Sequence, residues 1–524
     1  MPMTKTLFIL AASVLLAGMA SAATRLPPAH DFFTDRQIRT FKITVEQPGL
    51  GVLEKNDRSY VKATITEGTN VFKDVGIHLK GMGSFRPFNE KPSLAVKFDK
   101  YVPKQDYFGL SKLMLNNSSQ DGTFLAEMIA TQMFRDGGLP AARVTHSFVE
   151  INGRALGLYV AIEAMNGDFL KQYFRNSKGS LYEAYLQDID QKLDLDGGAD
   201  KTQSDLTNLL AVARIKKPIE RWDALQHVLE VDKYLSHLVL ELFASHTDGY
   251  ARNRNNYRLY HDPATGRFNM LVHGLDWAYS DTGVPVVEPP LGSIITRAVY
   301  QTPQGRQIYR QRVRDLYTNF FRLEVLTNRV NAAVANLRQA ARSTNESREF
   351  RNYGREMNNR LVARHKNIAE QLAQPEPKPL SIAVNASVVL AGWKVKDPNE
   401  SFKAAEPTLD GRPTLHLRAL KGDAIASFRN SVLLDEGLYR LQALACVTNV
   451  VTLTNDVKRA NGAGLRVSQE TRTQQLLGSA GWTPLEYEFE VAIGGERKEL
   501  ICELRARSGE VWFDTGSLKL SRLK

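Results

Sequence analysis

His246-Thr247-Asp248-Gly249-Tyr250-Ala251-Arg252-Asn253 closes an apolar stretch of helical spacing that runs from Val231 to Ser245. An aspartate stands two positions after the histidine, and an asparagine five positions after the aspartate. A carboxylate at a helix end can take the proton of a hydroxyl, and carboxylate and amide oxygens are the hard ligands that Mg²⁺ prefers. His246 alone is equally a helix-terminal or packing histidine. Downstream, Tyr257-Arg258-Leu259-Tyr260, a turn at Gly266 and the apolar Leu271-Val272 lead into His273-Gly274-Leu275-Asp276-Trp277. Asp276 therefore stands at the end of a strand as a second candidate carboxylate for a metal, although a strand-end Asp is also a common turn residue.

Two upstream segments complete a series. Lys80-Gly81-Met82-Gly83-Ser84 follows the alternating Val75-Gly76-Ile77-His78-Leu79, and glycines at Gly81 and Gly83 would let backbone N–H groups near Ser84 approach an anion. By itself this is also an ordinary tight turn. Then Ser93-Leu94-Ala95-Val96-Lys97-Phe98 alternates with period two. Leu94, Val96 and Phe98 share the core face, while Lys91, Ser93, Ala95 and Lys97 share the other if the extended chain reaches back past Pro92. A lysine so placed can hold phosphates, paired with a helix glutamate. Glu127, on the helical pattern Phe124 to Arg135, is the candidate partner. Taken in order, a glycine turn, a lysine, an H-x-D-x-x-x-x-N loop and a strand-end Asp form the sequence of parts used by protein kinases.

Composition frames this series. The chain has 524 residues, 43% hydrophobic and 24% charged, with 68 Lys+Arg against 57 Asp+Glu and two cysteines. That length predicts two or three domains, and the apolar content excludes wholesale disorder. A net charge of +11 with no Lys/Arg-rich run argues against nucleic-acid binding. HExxH, C-x-x-C, G-x-S-x-G and Walker A motifs are absent. At the N-terminus, Lys5, the apolar Leu7 to Met19 and Ala20-Ser21-Ala22 before Ala23 read as a signal peptide over residues 1–22, cleaved near Ala22/Ala23. No later run is long and apolar enough for a transmembrane anchor, so a secreted or periplasmic protein is expected. Cys446 and Cys502 are free to pair in that setting or to be two small buried side chains.

Gln374-Pro375-Glu376-Pro377-Lys378-Pro379 reads as a stiff linker over 374–379. Before it, residues 23–373 read as α+β, sheet-rich at first and mostly helical later, with a turn at Asn152-Gly153 between strands Ser147 to Glu150 and Leu156 to Ile162. After it, residues 380–524 hold about eight short alternating runs, among them Leu415 to Leu417, Tyr439 to Val450 and Leu485 to Val491, which predict an all-β jelly-roll-type sandwich. Gly481 to Phe489 and Gly509 to Asp514 resemble galactose-binding-like and other carbohydrate-binding sandwiches. Trp482 and Trp512 are either sugar platforms or core aromatics.

From about residue 74 to 375 the chain resembles the CotH kinase-like family. The motifs are Lys80-Gly81-Met82-Gly83-Ser84 with Lys91-Pro92-Ser93, Phe108-Gly109-Leu110 leading to Leu115-Asn116-Asn117, and Phe134 to Ala141. They continue through Gly157-Leu158-Tyr159-Val160 with Glu163, Asp248 to Tyr260, and His273 to Trp277. The resemblance implies an atypical protein-kinase-like fold that transfers the γ-phosphate of ATP to Ser or Thr of protein partners. It implies Lys91 as the ATP-binding lysine, with Lys97 as a rival, Asp248 as the catalytic aspartate, and Asp276 and Asn253 as ligands of Mg²⁺ (or Mn²⁺). Many relatives read Arg-Gly-Asn where this chain has Lys80-Gly81-Met82, and Trp-Asp-Leu-Asp where it has His273-Gly274-Leu275-Asp276, so one acidic residue is missing. The expectation is an exported kinase acting on a surface or envelope protein. The alternative is a non-catalytic protein whose sandwich binds an extracellular glycan or wall surface over a kinase-like scaffold.

Overall fold

Period-two alternation calls for extended chain, and in the computed structural model seven such strands close on themselves. The structure describes residues 26–198, 201–375, 378–396, 398–453, 461–468, 470–492 and 495–524. The expected signal peptide and Glu376-Pro377 of the proline stretch lie outside the described residues. The chain forms two compact units. The first runs to Ser119 and adds Ala142–Arg175 and Asn336–Arg342, and the second comprises Gln120–Ala141, Asn176–Ala335 and Ser343–Lys524.

The first unit is built on β1 (Arg39–Thr44), β2 (Val61–Glu67), β3 (Asn70–Lys80), β4 (Ser93–Lys97), β5 (Lys112–Asn116), β6 (Val144–Ile151) and β7 (Arg154–Glu163). They form a closed barrel in the order β1-β2-β3-β4-β5-β7-β6. Its one parallel pairing sets Phe41 of β1 opposite Val149 of β6. Closure leaves no unpaired edge. Ile43, Ile77, Leu79, Leu94, Val96, Phe98, Leu113 and Leu115 fill the core, as the alternation predicts. Asn152 and Gly153 have φ of 48° and 78°, the pair of positive values that a two-residue hairpin between β6 and β7 requires. One expectation is corrected. β4 begins at Ser93, so Lys91 lies in irregular chain before the strand, not on its face. Proline has no N–H to extend the ladder, and the Pro92 carbonyl instead accepts from the Tyr159 hydroxyl at 2.8 Å.

In the second unit, β8 (Leu181–Glu183), β9 (Asp194–Gly197), β10 (Tyr257–Asp262) and β11 (Arg267–Val272) form a sheet in the order β11-β10-β8-β9. The helix Val231–Phe243 precedes the His246 segment and is buried on nearly every side, with Leu235, Val239, Leu240 and Phe243 inaccessible. A helix leaves its last carbonyls without intrahelical donors. Arg364 supplies them. It lies within the apolar stripe Phe350, Met357, Leu361 and Ile368 of the helix Thr344–Ala373 and is 0% exposed. Its guanidinium donates to the carbonyls of Leu242 at 2.6 Å and Phe243 at 3.3 Å, and to those of Thr282 and Val284 at 2.8 Å each. Burial lowers its pKa to about 10, so it stays charged at neutral pH against the negative end of the helix dipole.

The C-terminal strands also belong to the second unit. They form an eight-stranded and a four-stranded sheet, with side chains of both, such as Leu417, Leu441 and Phe513 from one and Phe428, Leu465 and Leu504 from the other, in one apolar core. A sandwich is thus present, with more strand segments than the expected eight because short edge runs add to the larger sheet. Cys446 and Cys502 are both free thiols, one in each sheet. The sandwich meets the helical part through Arg306, which donates to the Gly495 carbonyl at 2.8 Å, and through a two-pronged ion pair of Arg497 with Glu288 at 2.7 and 3.0 Å.

Replacing Arg364 by Leu strips charged donors from the buried carbonyls of Leu242 and Phe243 and from the part-buried one of Thr282. Urea unfolding should register a loss of about 3–5 kcal/mol. A loss below about 1 kcal/mol would contradict this role for Arg364.

Candidate functional site

In the first unit the chain leaves β3 at Lys80, whose ammonium donates to Oδ1 of Asn116. Gly81 has φ +106°, and a Cβ there would sit 2.9 Å from the Ser84 hydroxyl and 3.1 Å from the Phe85 nitrogen. The turn itself therefore requires glycine, with Gly83 exposed at its far side. Asn117, 4% exposed, anchors both ends of the following loop. Its amide donates to the Ser84 carbonyl at 3.2 Å and the Lys91 carbonyl at 2.8 Å, while its backbone N–H donates to the Ser93 hydroxyl at 2.9 Å. Ser84 and Lys91 are thereby held to one side chain. The Lys91 ammonium lies 5.1 Å from the centroid of the Tyr159 ring. Lys97 stands apart from this arrangement, 40% exposed and 3.9 Å from Asp99.

In the second unit, Glu127 occupies the first turn of the helix Ala126–Asp136, slightly later than the expected Phe124 to Arg135, and is 5% exposed. The Asp121 carboxylate fixes that end of the helix, accepting from the N–H groups of Leu125 and Ala126 at 2.9 Å each.

The His246 segment is stitched to its surroundings from three sides. Glu241, buried on the helix Val231–Phe243, accepts the Ala251 N–H at 2.9 Å through one oxygen and pairs with His237 at 3.3 Å through the other. Gly249 lies between, where a Cβ would come within 2.6 Å of Glu241 Oε1 and 2.8 Å of His246 Nδ1. His246 Nε2 is 3.0 Å from the Gly274 carbonyl, which can only accept, so Nε2 carries the proton. Asp248 is the third anchor: its Oδ2 accepts from Asn255 at 2.8 Å and from Asn256 at 3.2 Å. Asn256 also donates to the Gly274 carbonyl at 3.1 Å. One amide thus joins the loop of Asp248 to the loop of Asp276. Gly274 has φ +59°, and its missing Cβ would lie 2.8 Å from the Asn256 side chain. A side chain at this position would have to displace the Asn256 amide and take up a left-handed backbone.

Asp276 and Trp277 lie in the single turn Leu275–Trp277, with Asp276 partly exposed. Beside it, His273 lies 3.3 Å from Glu183, which also pairs with Arg258 at 2.6 Å. Burial pushes the Glu183 carboxyl up, but its hydrogen bond from His273 and the charge of Arg258 outweigh this and hold it well below the usual range. Burial lowers the His246 pKa against the opposing pull of Glu241, keeping the ring neutral at pH 7. Asn253 is exposed, and its amide donates to the Thr247 carbonyl at 2.8 Å. No group of three or more His, Cys, Asp or Glu suited to a metal occurs among the described residues. The Asp276 carboxylate and the Asn253 amide oxygen are hard ligands of the kind Mg²⁺ takes when phosphate oxygens and water complete its shell, and are too few for an all-protein cation cage.

Of the expected residues, Gly81, Gly83, Ser84 and Lys91 fall in the first unit, and Glu127, Asp248, Asn253 and Asp276 in the second. Sequence reasoning missed Asn117, Glu241, Asn255, Asn256 and Gly274 as organisers. The Asn255-Asn256 doublet and a lone acid on an apolar helix were the available signals.

A family model described as CotH kinase protein matches residues 77–372. The inner spore coat protein H of Bacillus subtilis (strain 168) is 23% identical over 288 residues, spanning 51% of this chain and 77% of that relative. Among solved structures, the Helicobacter pylori proinflammatory kinase CtkA aligns over 56% of this chain and 96% of its own at 8% identity, with a TM-score of 0.25. TmCBM61 in complex with beta-1,4-galactotriose aligns over 25% and 88% at 15% identity, with a TM-score of 0.18. Those structural likenesses are too low to bear on the site. The family match covers more than half of the chain, which belongs to the CotH kinase protein family.

Gly249→Ala should displace Glu241 or His246 and lower stability by about 1–3 kcal/mol, whereas Gly122→Ala, with nothing within 4 Å of its Cβ, should leave the urea midpoint nearly unchanged. Equal midpoints would contradict the close approach at Gly249. The depressed pKa of His246 makes its stabilising contribution complete above about pH 6.5 and lost as pH falls further toward the folded value. Melting temperature should therefore drop between about pH 7 and 5.5 by less in His246→Gln than in the wild type. Parallel curves would overturn that assignment.

Proposed function

We propose that this CotH-family chain is an exported phosphotransferase that moves the γ-phosphate of ATP, with Mg²⁺ or Mn²⁺, to a Ser or Thr hydroxyl of a surface or envelope protein. The observation that carries the reading is Asn256, whose amide binds both Asp248 and the Gly274 carbonyl and so couples the two candidate aspartates. Oδ2 of Asp248 is occupied by Asn255 and Asn256, which leaves Oδ1 for the acceptor hydroxyl. In the proposed step the acceptor oxygen bonds to the γ-phosphorus and its proton passes to Asp248. The bond from that phosphorus to the β–γ bridging oxygen breaks, and ADP leaves. The divalent cation, when bound, neutralises charge on the phosphates. Asp276 and Asn253 are the residues proposed to hold it, with Lys91 and the N–H groups of the Gly81–Ser84 turn as hydrogen-bond donors to the phosphates and Glu127 as a supporting carboxylate. Most of the acceleration in such a site comes from positioning and fixed charge.

A second reading draws on the sandwich. Trp482 and Trp512 lie outside its apolar core, which takes Trp393 instead. Trp512 stacks on His416 at 4.6 Å, and Trp482 donates to Asp410 at 3.0 Å beneath the Arg412 guanidinium. Partly exposed aromatics beside polar planar groups suit sugar rings, and a glycan or wall surface is the proposed partner of this part. Loss of retention on insoluble wall polysaccharide in Trp512→Ala tests it, and unchanged retention would remove it.

For the kinase reading, thermal melts of residues 24–524 with ATP and Mg²⁺ or Mn²⁺ should show stabilisation. It should reach about 2.7 kcal/mol at a ligand concentration 100 times Kd, and Asp276→Ala should lose it. No shift with any nucleotide would sink this reading in favour of a non-catalytic binding protein.

A further inference from the structure

Among the described residues of the second unit outside the sandwich, the exposed large apolar side chains are Tyr185, Leu186, Ile219, Trp277 and Val362. Three of these five sit on segments fastened to the catalytic and metal loops, which separates them from scattered surface residues. Tyr185 and Leu186 are each 51% exposed and Trp277 is 44% exposed. Trp277 directly follows Asp276.

The stretch that bears Tyr185 and Leu186 is pinned on both sides. Before it, Glu183 at the end of β8 holds His273 at 3.3 Å, three residues from Asp276. Within it, the Leu186 N–H donates to Asn255 Oδ1 at 3.3 Å, and Asn255 donates in turn to Asp248 at 2.8 Å. After it, the Gln187 carbonyl accepts from the Tyr257 hydroxyl at 3.0 Å, and Asp188 accepts from the Tyr250 hydroxyl at 2.8 Å. So the backbone is fixed while its apolar side chains point into solvent. Leu186 also has φ +54°, a left-handed conformation that leucine seldom adopts. Half of the Leu186 surface is nonetheless left in solvent. Backbone strain of this kind, kept in a fixed segment, clusters at functional sites.

We propose that Tyr185, Leu186 and Trp277 determine acceptor specificity by receiving an apolar side chain next to the Ser or Thr presented to Asp248. This rests on the phosphotransferase reading and narrows its protein acceptor to a segment with an apolar residue at a set distance from the hydroxyl.

The test is an immobilised array of peptides, each holding one Ser or Thr with a single varied neighbour, incubated with the full chain and γ-labelled Mg-ATP. Labelling should rise roughly tenfold when an apolar residue occupies one particular offset, the discrimination that a small apolar pocket gives. The double variant Tyr185→Ser, Leu186→Asn should flatten that preference, because asparagine tolerates the left-handed backbone. Trp277→Ser, altered on the other segment, should weaken it too. An array without apolar preference, an unlabelled array, label appearing only on added glycan, or a preference unchanged in both variants would overturn the proposal. Melts of the same samples with Mg-ATP separate the failures: a nucleotide shift beside a flat array removes the acceptor lip alone, and no shift removes the phosphotransferase reading beneath it.

Discussion

The guanidinium of Arg364, fully buried with all its hydrogen bonds going to neutral oxygens, is the constraint on which the second unit depends. A buried cation is tolerated only when its donors are satisfied. Here the end of the helix Val231–Phe243 and the strap at Thr282 and Val284 satisfy them together. The helix delivers the His246 segment, and the strap runs on from Asp276. Fixing both to one charge fixes where each candidate aspartate leaves the core. Farther along, the strap is held by the Tyr309 hydroxyl on the Val286 carbonyl at 2.7 Å, and Gly292 returns it to the Ala251 carbonyl at 2.9 Å.

Above that foundation, small polar residues set the geometry. Asn256 and His246 both end on the Gly274 carbonyl, and the Asn256 amide packs where a Gly274 side chain would stand. A neutral His246 suits this role, since a charged ring in the same buried position would cost desolvation energy. A side chain at Gly274 would compete with the Asn256 amide for the space from which that amide reaches the carbonyl. In the first unit Asn117 plays the corresponding part, binding the carbonyls of Ser84 and Lys91.

Much of this was legible in the sequence where one strong periodicity or turn dictated it. The β3 and β4 alternation, the Asn152-Gly153 hairpin, the helix before His246 and the two-sheet texture after the linker follow from local rules. Lys91 was read as a strand residue because alternation continues on paper through Pro92, whereas the missing N–H ends the ladder there. Arg364, Glu241 and Asn256 were not legible as organisers, since their partners are carbonyls and N–H groups distant in sequence, which leave no compositional trace. The two cysteines could not be paired or separated by spacing, and only the sheet assignment places them apart.

In the proposed reaction Asp248 takes the acceptor proton in a phosphoryl transfer whose cation Asp276 helps to hold. The most direct measurement is the rate of ADP formation by residues 24–524 with Mg-ATP, together with mass-spectrometric detection of phosphate on chain or acceptor hydroxyls. It should be made in wild type and in Asp248→Asn, which keeps the Asn255 and Asn256 contacts sterically possible. Turnover should fall by about a hundredfold or more in Asp248→Asn, with nucleotide-dependent melting retained. Equal turnover in the two proteins, or no turnover in the wild type despite bound nucleotide, would contradict this reaction.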